Sequence, residues 1–163
     1  MNLVTVIITA VFCIYCSAFC SGTETGLMSA SRIRIYLREQ KERRKSTTRL
    51  KKMLLKIEDP ILTCLIGTNL FNVIATSIVT AYLTTLYGSK GDFIAASVMA
   101  VSIIVFGEII PKVIYLEFPE SMTIKSIPAL RILMILVSPI RWLMMQYSHM
   151  LNLLIPGDDS DDS

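Results

Sequence analysis

The stretch SIIVFGEIIPKVI, residues 102–114, sets the carboxylate of Glu108 inside an apolar run, directly after Gly107 and shortly before Pro111 and Lys112. An ionised carboxylate is costly in hydrocarbon unless it has a partner, so Glu108 calls for a cation. Two other apolar runs offer oxygens. LIGTNLFNV, residues 65–73, carries Asn69 and Asn72. Their i, i+3 spacing puts them on one helix face. CSGTET, residues 20–25, carries Ser21 and Glu24. A carboxylate, two amides and a hydroxyl are hard oxygen ligands. They suit Mg²⁺, Ca²⁺ or Na⁺ and not zinc or copper.

Each polar group also has a residue that disturbs a helix beside it. Gly22 follows Ser21, Gly67 precedes Asn69, and Gly107 precedes Glu108, with Pro111 three residues further on. Glycine and proline weaken the helical hydrogen-bond ladder and free carbonyl oxygens. Interrupted helices of this kind build ion sites near the membrane midplane. Gly22, Gly67 and Pro111 are therefore expected as helix breaks or hinges, with freed carbonyls as further oxygens. Glu24 is open to two readings. It is a partner for a helix dipole or for Lys112, or it is a vestibule acid or Na⁺ ligand.

The elements that must position these groups are membrane helices. The chain has 163 residues, of which 53% are hydrophobic and 18% charged, with a mean hydropathy of +0.58. Residues 1–20, 60–89 and 93–107 contain no charge at all. Uncharged apolar runs of this length read as spanning helices. Spans are expected over about 3–22, 60–87 and 92–118, the last two joined as an antiparallel hairpin by the glycine-rich turn GSKGD. The first run lacks the basic flank and cleavage pattern of a signal peptide, so it is read as a retained helix. The run 119–150 differs. Lys125, Arg131 and Arg141 interrupt it, as do Pro128 and Pro139. An amphipathic juxtamembrane belt fits it, with a fourth span as the alternative. The fold class is thus an all-α membrane protein, with three transmembrane helices per subunit plus cytoplasmic juxtamembrane amphipathic helices. The transmembrane domain covers 1–150 and an acidic tail covers 151–163.

Eleven of the sixteen Lys and Arg lie in 31–56. Positive loops stay in the cytoplasm, which puts the N-terminus outside, the basic helical segment 31–59 inside, turn 88–91 outside and the C-terminus inside. Counted from the cytoplasmic ends, Ser21, Asn69, Asn72 and Glu108 lie nine to twelve residues in. At ~1.5 Å per residue that is roughly 15 Å, near the middle of a ~30 Å hydrocarbon core. Three helices bring their polar groups to one depth.

Other classes find no support. The sequence has no nucleophile–base pair, no phosphate loop and no nucleic-acid module, and its one histidine, His149, is remote. No enzymatic activity is expected. Cys13, Cys16 and Cys20 share a helix face and read as small packing residues.

SGTETGLMSASRIRI, LIGTNLFNVIATSIV and FGEIIPK, in this order, resemble the membrane domain of the cyclin M/CorC family of magnesium transport proteins. The resemblance extends from about residue 3 to 150. It implies a homodimer with three spans and a juxtamembrane belt per subunit, followed by cytoplasmic nucleotide-binding CBS domains. It also implies Mg²⁺ export coupled to Na⁺ entry, with a dehydrated Mg²⁺ on Ser21, Asn69, Asn72, Glu108 and the Gly107 carbonyl. Where the family pattern would place a second asparagine, this chain has Thr68. It ends at IPGDDSDDS, where CBS domains would begin, as expected of a shortened or naturally short form. A cation channel and a non-transporting Mg²⁺ sensor are the alternative functions. Small residues on the second and third helices, Ala75, Ser77, Ala95, Ala96, Ser97 and Ala100, are expected to permit close helix approach at the subunit interface.

Overall fold

A computed structural model describes residues 2–30 and 57–154. The basic segment 31–56 and the tail after 154, where a cytoplasmic helical segment and the start of CBS domains are expected, lie outside the described residues. All elements described are helices: α1 (Leu3–Ser29), α2 (Glu58–Tyr87), α3 (Ser89–Ser102), a π segment (Ile103–Ile109), α4 (Ile110–Glu117) and α5 (Pro119–Leu154).

Helix α1 is 27 residues long and α2 is 30. At ~1.5 Å per residue both exceed a ~30 Å core. Helix α2 opens on Glu58, Asp59 and Pro60. The two acids complement the positive end of the helix dipole, and proline is pre-shaped for a first turn. It closes at Gly88, whose φ of 61° is left-handed and whose N–H donates to the Thr84 carbonyl at 2.9 Å. That residue alone separates α2 from α3, so the turn is tighter than the sequence suggests. Helices α2 and α3 fold back on each other there, and Gly91 lies against the Leu83 backbone with no room for a side chain.

α3, the π segment and α4 form one continuous rod from Ser89 to Glu117. Within the π segment, backbone bonds reach back five residues, and the Ile110 N–H donates to the Val105 carbonyl. The next donor in that register would be Pro111, which has no N–H. The π register therefore stops at the proline and the α register resumes. Neither the Phe106 nor the Gly107 carbonyl receives a bond from Pro111.

The other expected helix breaks are not breaks. α1 runs unbroken through Gly22, and α2 runs unbroken through Gly67. These glycines serve close packing instead. A Cβ at Gly22 would lie 2.6 Å from the Tyr115 ring, and one at Gly26 would lie 2.7 Å from the same ring. The Gly22/Gly26 pair is thus a small-xxx-small groove that seats Tyr115 of α4. The Tyr115 hydroxyl lies 2.6 Å from the Ser126 hydroxyl of α5, which ties α1, α4 and α5 together. At Gly67 a Cβ would meet the Cys20 sulfur at 2.8 Å and Leu133 at 3.2 Å. Cys20, Leu27, Cys64, Ile127, Leu130, Leu133 and Val137 make one buried cluster, and Cys13, Ala75 and Met99 make a second. The cysteines are packing residues, as expected, and all four are free thiols.

Helix α5 is not interrupted at the two prolines that divide its apolar run in the sequence. It is one helix of 36 residues that passes through both Pro128 and Pro139. Its Leu133 reaches Gly67 and its Thr123 reaches Gly26, so it leans into the helix packing at a level shared with Cys20. Lys125 and Arg131 stay on its exposed side. Among the described residues four helices, including Pro119–Ile140, are apolar enough by length and composition to cross a membrane, where three spans were expected. The physical reason is that its buried face, Ile127, Leu130, Leu133 and Val137, is continuous and carries no charge. Among the small residues expected between subunits, Ala75 and Ala95 are fully buried within the chain itself. Ser77, Ala96, Ser97 and Ala100 are exposed.

Helix propensity alone would make Gly22→Ala stabilising by ~1 kcal/mol. Overpacking against a seated aromatic ring costs ~1–3 kcal/mol. The expected outcome is a lowered thermal midpoint in detergent for Gly22→Ala, and a smaller effect or none when the same change is made in a Tyr115→Ala background, which is itself less stable. A midpoint raised by Gly22→Ala alone would show that the ring does not occupy the groove.

Candidate functional site

The site is assembled around Gly107, the buried glycine of the π segment. A Cβ built there would lie 3.5 Å from the Ser17 hydroxyl and 3.9 Å from the Asn72 amide oxygen, so α1 and α2 both turn a polar atom to this point of the rod. Glu108 follows immediately and is half-buried.

The hydrogen bonding there is unusual for this protein. Hydroxyls on its helices ordinarily donate to the carbonyl four residues back. Thr23 donates to Phe19 at 2.7 Å, Thr68 to Cys64 at 3.0 Å, Thr76 to Asn72 at 2.9 Å and Ser102 to Val98 at 2.8 Å. Ser17 and Ser21 depart from the rule. Their hydroxyl oxygens, and the Asn72 side-chain oxygen, are buried with no hydrogen-bond partner. Ser17 is 0% exposed and Ser21 1%. A buried polar group left unpaired costs ~1–3 kcal/mol, and each case in a native protein calls for a reason, such as a water or an ion. Three such atoms occur on two facing helices, and two of them surround Gly107.

The expected residues divide accordingly. Asn72 and Gly107 come together. Ser21 lies one helical turn from Ser17 on the same face of α1, with its oxygen likewise unpartnered. Asn69 stands apart. It is exposed, and its amide nitrogen donates to the Leu65 carbonyl of its own helix at 2.9 Å. Pro111 is buried and ends the π register. Gly22 and Gly67 set the packing one layer away. Glu24, half-buried, is close enough to Lys112 and Glu108 to feel both charges. These three charges lie within electrostatic range of one another, Glu24 on the part of α1 nearest its C-terminal end. Ser17 was not expected, although the Ser-x-x-x-Ser spacing of SAFCS puts it on the face of Ser21 and was readable in the sequence.

Among the described residues no three His, Cys, Asp or Glu side chains converge as a metal cluster. An ion here would rest on hydroxyl, amide and carbonyl oxygens with one or two carboxylates. That donor set fits hard cations. A cavity of about 410 Å³ between α1 and the rod, lined by Val11, Ile14, Tyr15, Ala18, Ser102 and Phe106, is apolar apart from the tyrosine and serine hydroxyls, and the Ser102 hydroxyl is already bonded to its own helix.

The cyclin M transmembrane N-terminal domain matches this chain over residues 8–162. The inner membrane protein YfjD of Escherichia coli, of the group designated UPF0053, is 37% identical over 135 residues, covering 83% of this chain and 31% of the relative. A UPF0053 protein of Haemophilus influenzae is 34% identical over 141 residues, covering 86% of this chain and 33% of the relative. The chain thus spans about a third of the length of these relatives. Its helices, its unpaired mid-helix oxygens and these matches converge on one conclusion: this multi-pass helical membrane protein belongs to the cyclin M transmembrane domain family.

Proposed function

We propose that this domain carries Mg²⁺ across the cell membrane, exporting it in exchange for Na⁺. The single observation that carries the reading is the set of buried, unpartnered oxygens of Ser17, Ser21 and Asn72, of which those of Ser17 and Asn72 lie beside Gly107. Mg²⁺ gives up water reluctantly and demands near-octahedral oxygens. A site that keeps several oxygens unpaired in advance offsets part of that cost. Glu108 supplies the charge, and the Gly107 backbone offers a carbonyl at the point where Pro111 withholds its donor. Glu24 and Lys112 form the approach from the cytoplasm, with Glu24 drawing cations in and Lys112 limiting how tightly they are held. The π segment is the hinge. A register that ends at a proline shifts at low cost, and π segments recur at functional sites. The membrane, the coupling by Na⁺ and the export direction follow the family reading.

The basic segment 31–56 places the α1–α2 connection in the cytoplasm and the N-terminus outside. Helix α5 then enters from the cytoplasmic side, next to Gly26, and leans inward as far as Gly67. In this arrangement three helices cross fully and α5 braces them. A reporter fused to the N-terminus reads the orientation, and a cytoplasmic signal would overturn it.

Calorimetric titration of the purified protein checks the site. Glu108→Gln should abolish Mg²⁺ binding with the fold intact. Asn72→Ala should weaken Mg²⁺ more than Asn69→Ala, because Asn72 faces the site and Asn69 is exposed and bonded to its own helix. Unchanged affinity in Glu108→Gln removes that residue as a ligand.

In liposomes, an inward Na⁺ gradient should drive Mg²⁺ out against its own gradient. Flux that ignores Na⁺ would favour a channel. Intact binding with no flux would favour a sensor.

The transporting unit is a homodimer, since three or four helices are few to enclose a cavity and also shield it from lipid. Native mass spectrometry in mild detergent should show two chains, each with its own Mg²⁺. A stable monomer that binds one ion would defeat the dimer and leave the site standing.

A further inference from the structure

Ser17 lies outside the ligand set that the sequence motifs suggest, yet it is the side chain nearest to the position a Gly107 side chain would take, at 3.5 Å. It is 0% exposed. Its hydroxyl has no partner, whereas Thr23, Thr25 and Thr9 on the same helix each donate to the carbonyl four residues back. The Cys13 carbonyl is the acceptor Ser17 would use by that rule, and it is not used. A hydroxyl that forgoes this ready local bond while fully buried is directed at something else. The groups around that point are Asn72, whose side-chain oxygen is likewise unpartnered, and the Gly107 backbone.

We infer that Ser17 is an ion-contacting residue, and that its hydroxyl oxygen and that of Ser21, one helical turn apart on α1, form two successive rungs along the path of a hard divalent cation. This rests on the proposed function and adds a position to it. The outer rung is Ser17 with Asn72 and the Gly107 backbone, next to Glu108. The inner rung, Ser21, lies one turn nearer Glu24. A cation stepping between the rungs exchanges one neutral hydroxyl oxygen for the other.

The test is calorimetric titration of the full chain in detergent with Mg²⁺ and with Cd²⁺, with thermal unfolding of the ion-free protein as a parallel readout. Ser17→Ala should weaken Mg²⁺ by about tenfold or more, a change of ~1.4 kcal/mol. The ion-free protein should melt at the same temperature or higher, since an unpartnered hydroxyl has been removed. Ser17→Cys keeps the volume and replaces a hard ligand with a soft one. It should lose Mg²⁺ affinity and gain at least about tenfold for Cd²⁺ over wild type, in which Cys13, Cys16 and Cys20 are the background. A purely structural serine would give the opposite pattern, with Mg²⁺ affinity unchanged in both variants and no gain of Cd²⁺. That result overturns the role of Ser17 and leaves the site intact if Glu108→Gln still abolishes binding. A wild-type protein that does not bind Mg²⁺ overturns both.

Discussion

Hydrocarbon contains no water, so every polar group placed within it must find its partner in the protein. That constraint shapes each helix here. Thr9, Thr23, Thr25, Thr68 and Thr76 all bend back onto their own backbone. The bonds cost nothing in packing and make the residues compatible with an apolar interior. Against that background, Ser17, Ser21 and Asn72 stand out by leaving an oxygen unpaired while buried. The stability forgone is ~1–3 kcal/mol for each atom. These three atoms are the ones on which the proposed site rests.

The same constraint governs the irregular backbone. A helix that loses a donor in hydrocarbon exposes a carbonyl, and the π segment ends where Pro111 has no N–H to give. The rod could have carried such a defect at many places along its length. It falls at the level where Gly107 lies against α1 and α2, so the weakened ladder is buried in protein and faces Ser17 and Asn72. The defect and the orphan oxygens thus occupy one place, the place of the proposed cation site.

Close approach of the helices makes this register rigid. Cys20 packs on Gly67, and Tyr115 fills the Gly22/Gly26 groove and meets Ser126. In a bilayer such contacts are held by van der Waals packing and interhelical hydrogen bonds, because lipid is as apolar as leucine. The groove therefore needs glycine, where a longer side chain would push α1 away from the rod and separate Ser17 from Gly107. Tyr115 stands one turn beyond Pro111 and, through Ser126, connects the end of the π segment to helix α5.

Charge segregation and unbroken apolar runs determined by themselves that this is a helical membrane protein, because hydrocarbon thickness and the cost of charge act on sequence directly. They also marked Ser21, Asn72, Gly107, Glu108 and Pro111, since polar residues and a proline inside such runs are conspicuous without any knowledge of contacts. What a single residue does in three dimensions was beyond their reach. Gly22 and Gly67 resemble helix breaks in the sequence and proved to be packing surfaces, because a neighbouring ring or sulfur can use the space that a missing side chain leaves. Asn69 and Asn72 share a face by spacing, yet only Asn72 turns its oxygen inward, since the rod and α1 cover one edge of that face and leave the other open. The prolines of α5 divide its apolar run in the sequence, but its uncharged buried stripe found a place against α1 and α2 and kept the helix whole. Ser17 was one small residue among many in the sequence. Only the packing of α1 on the π segment, which removed its exposure and gave its hydroxyl no partner, set it apart.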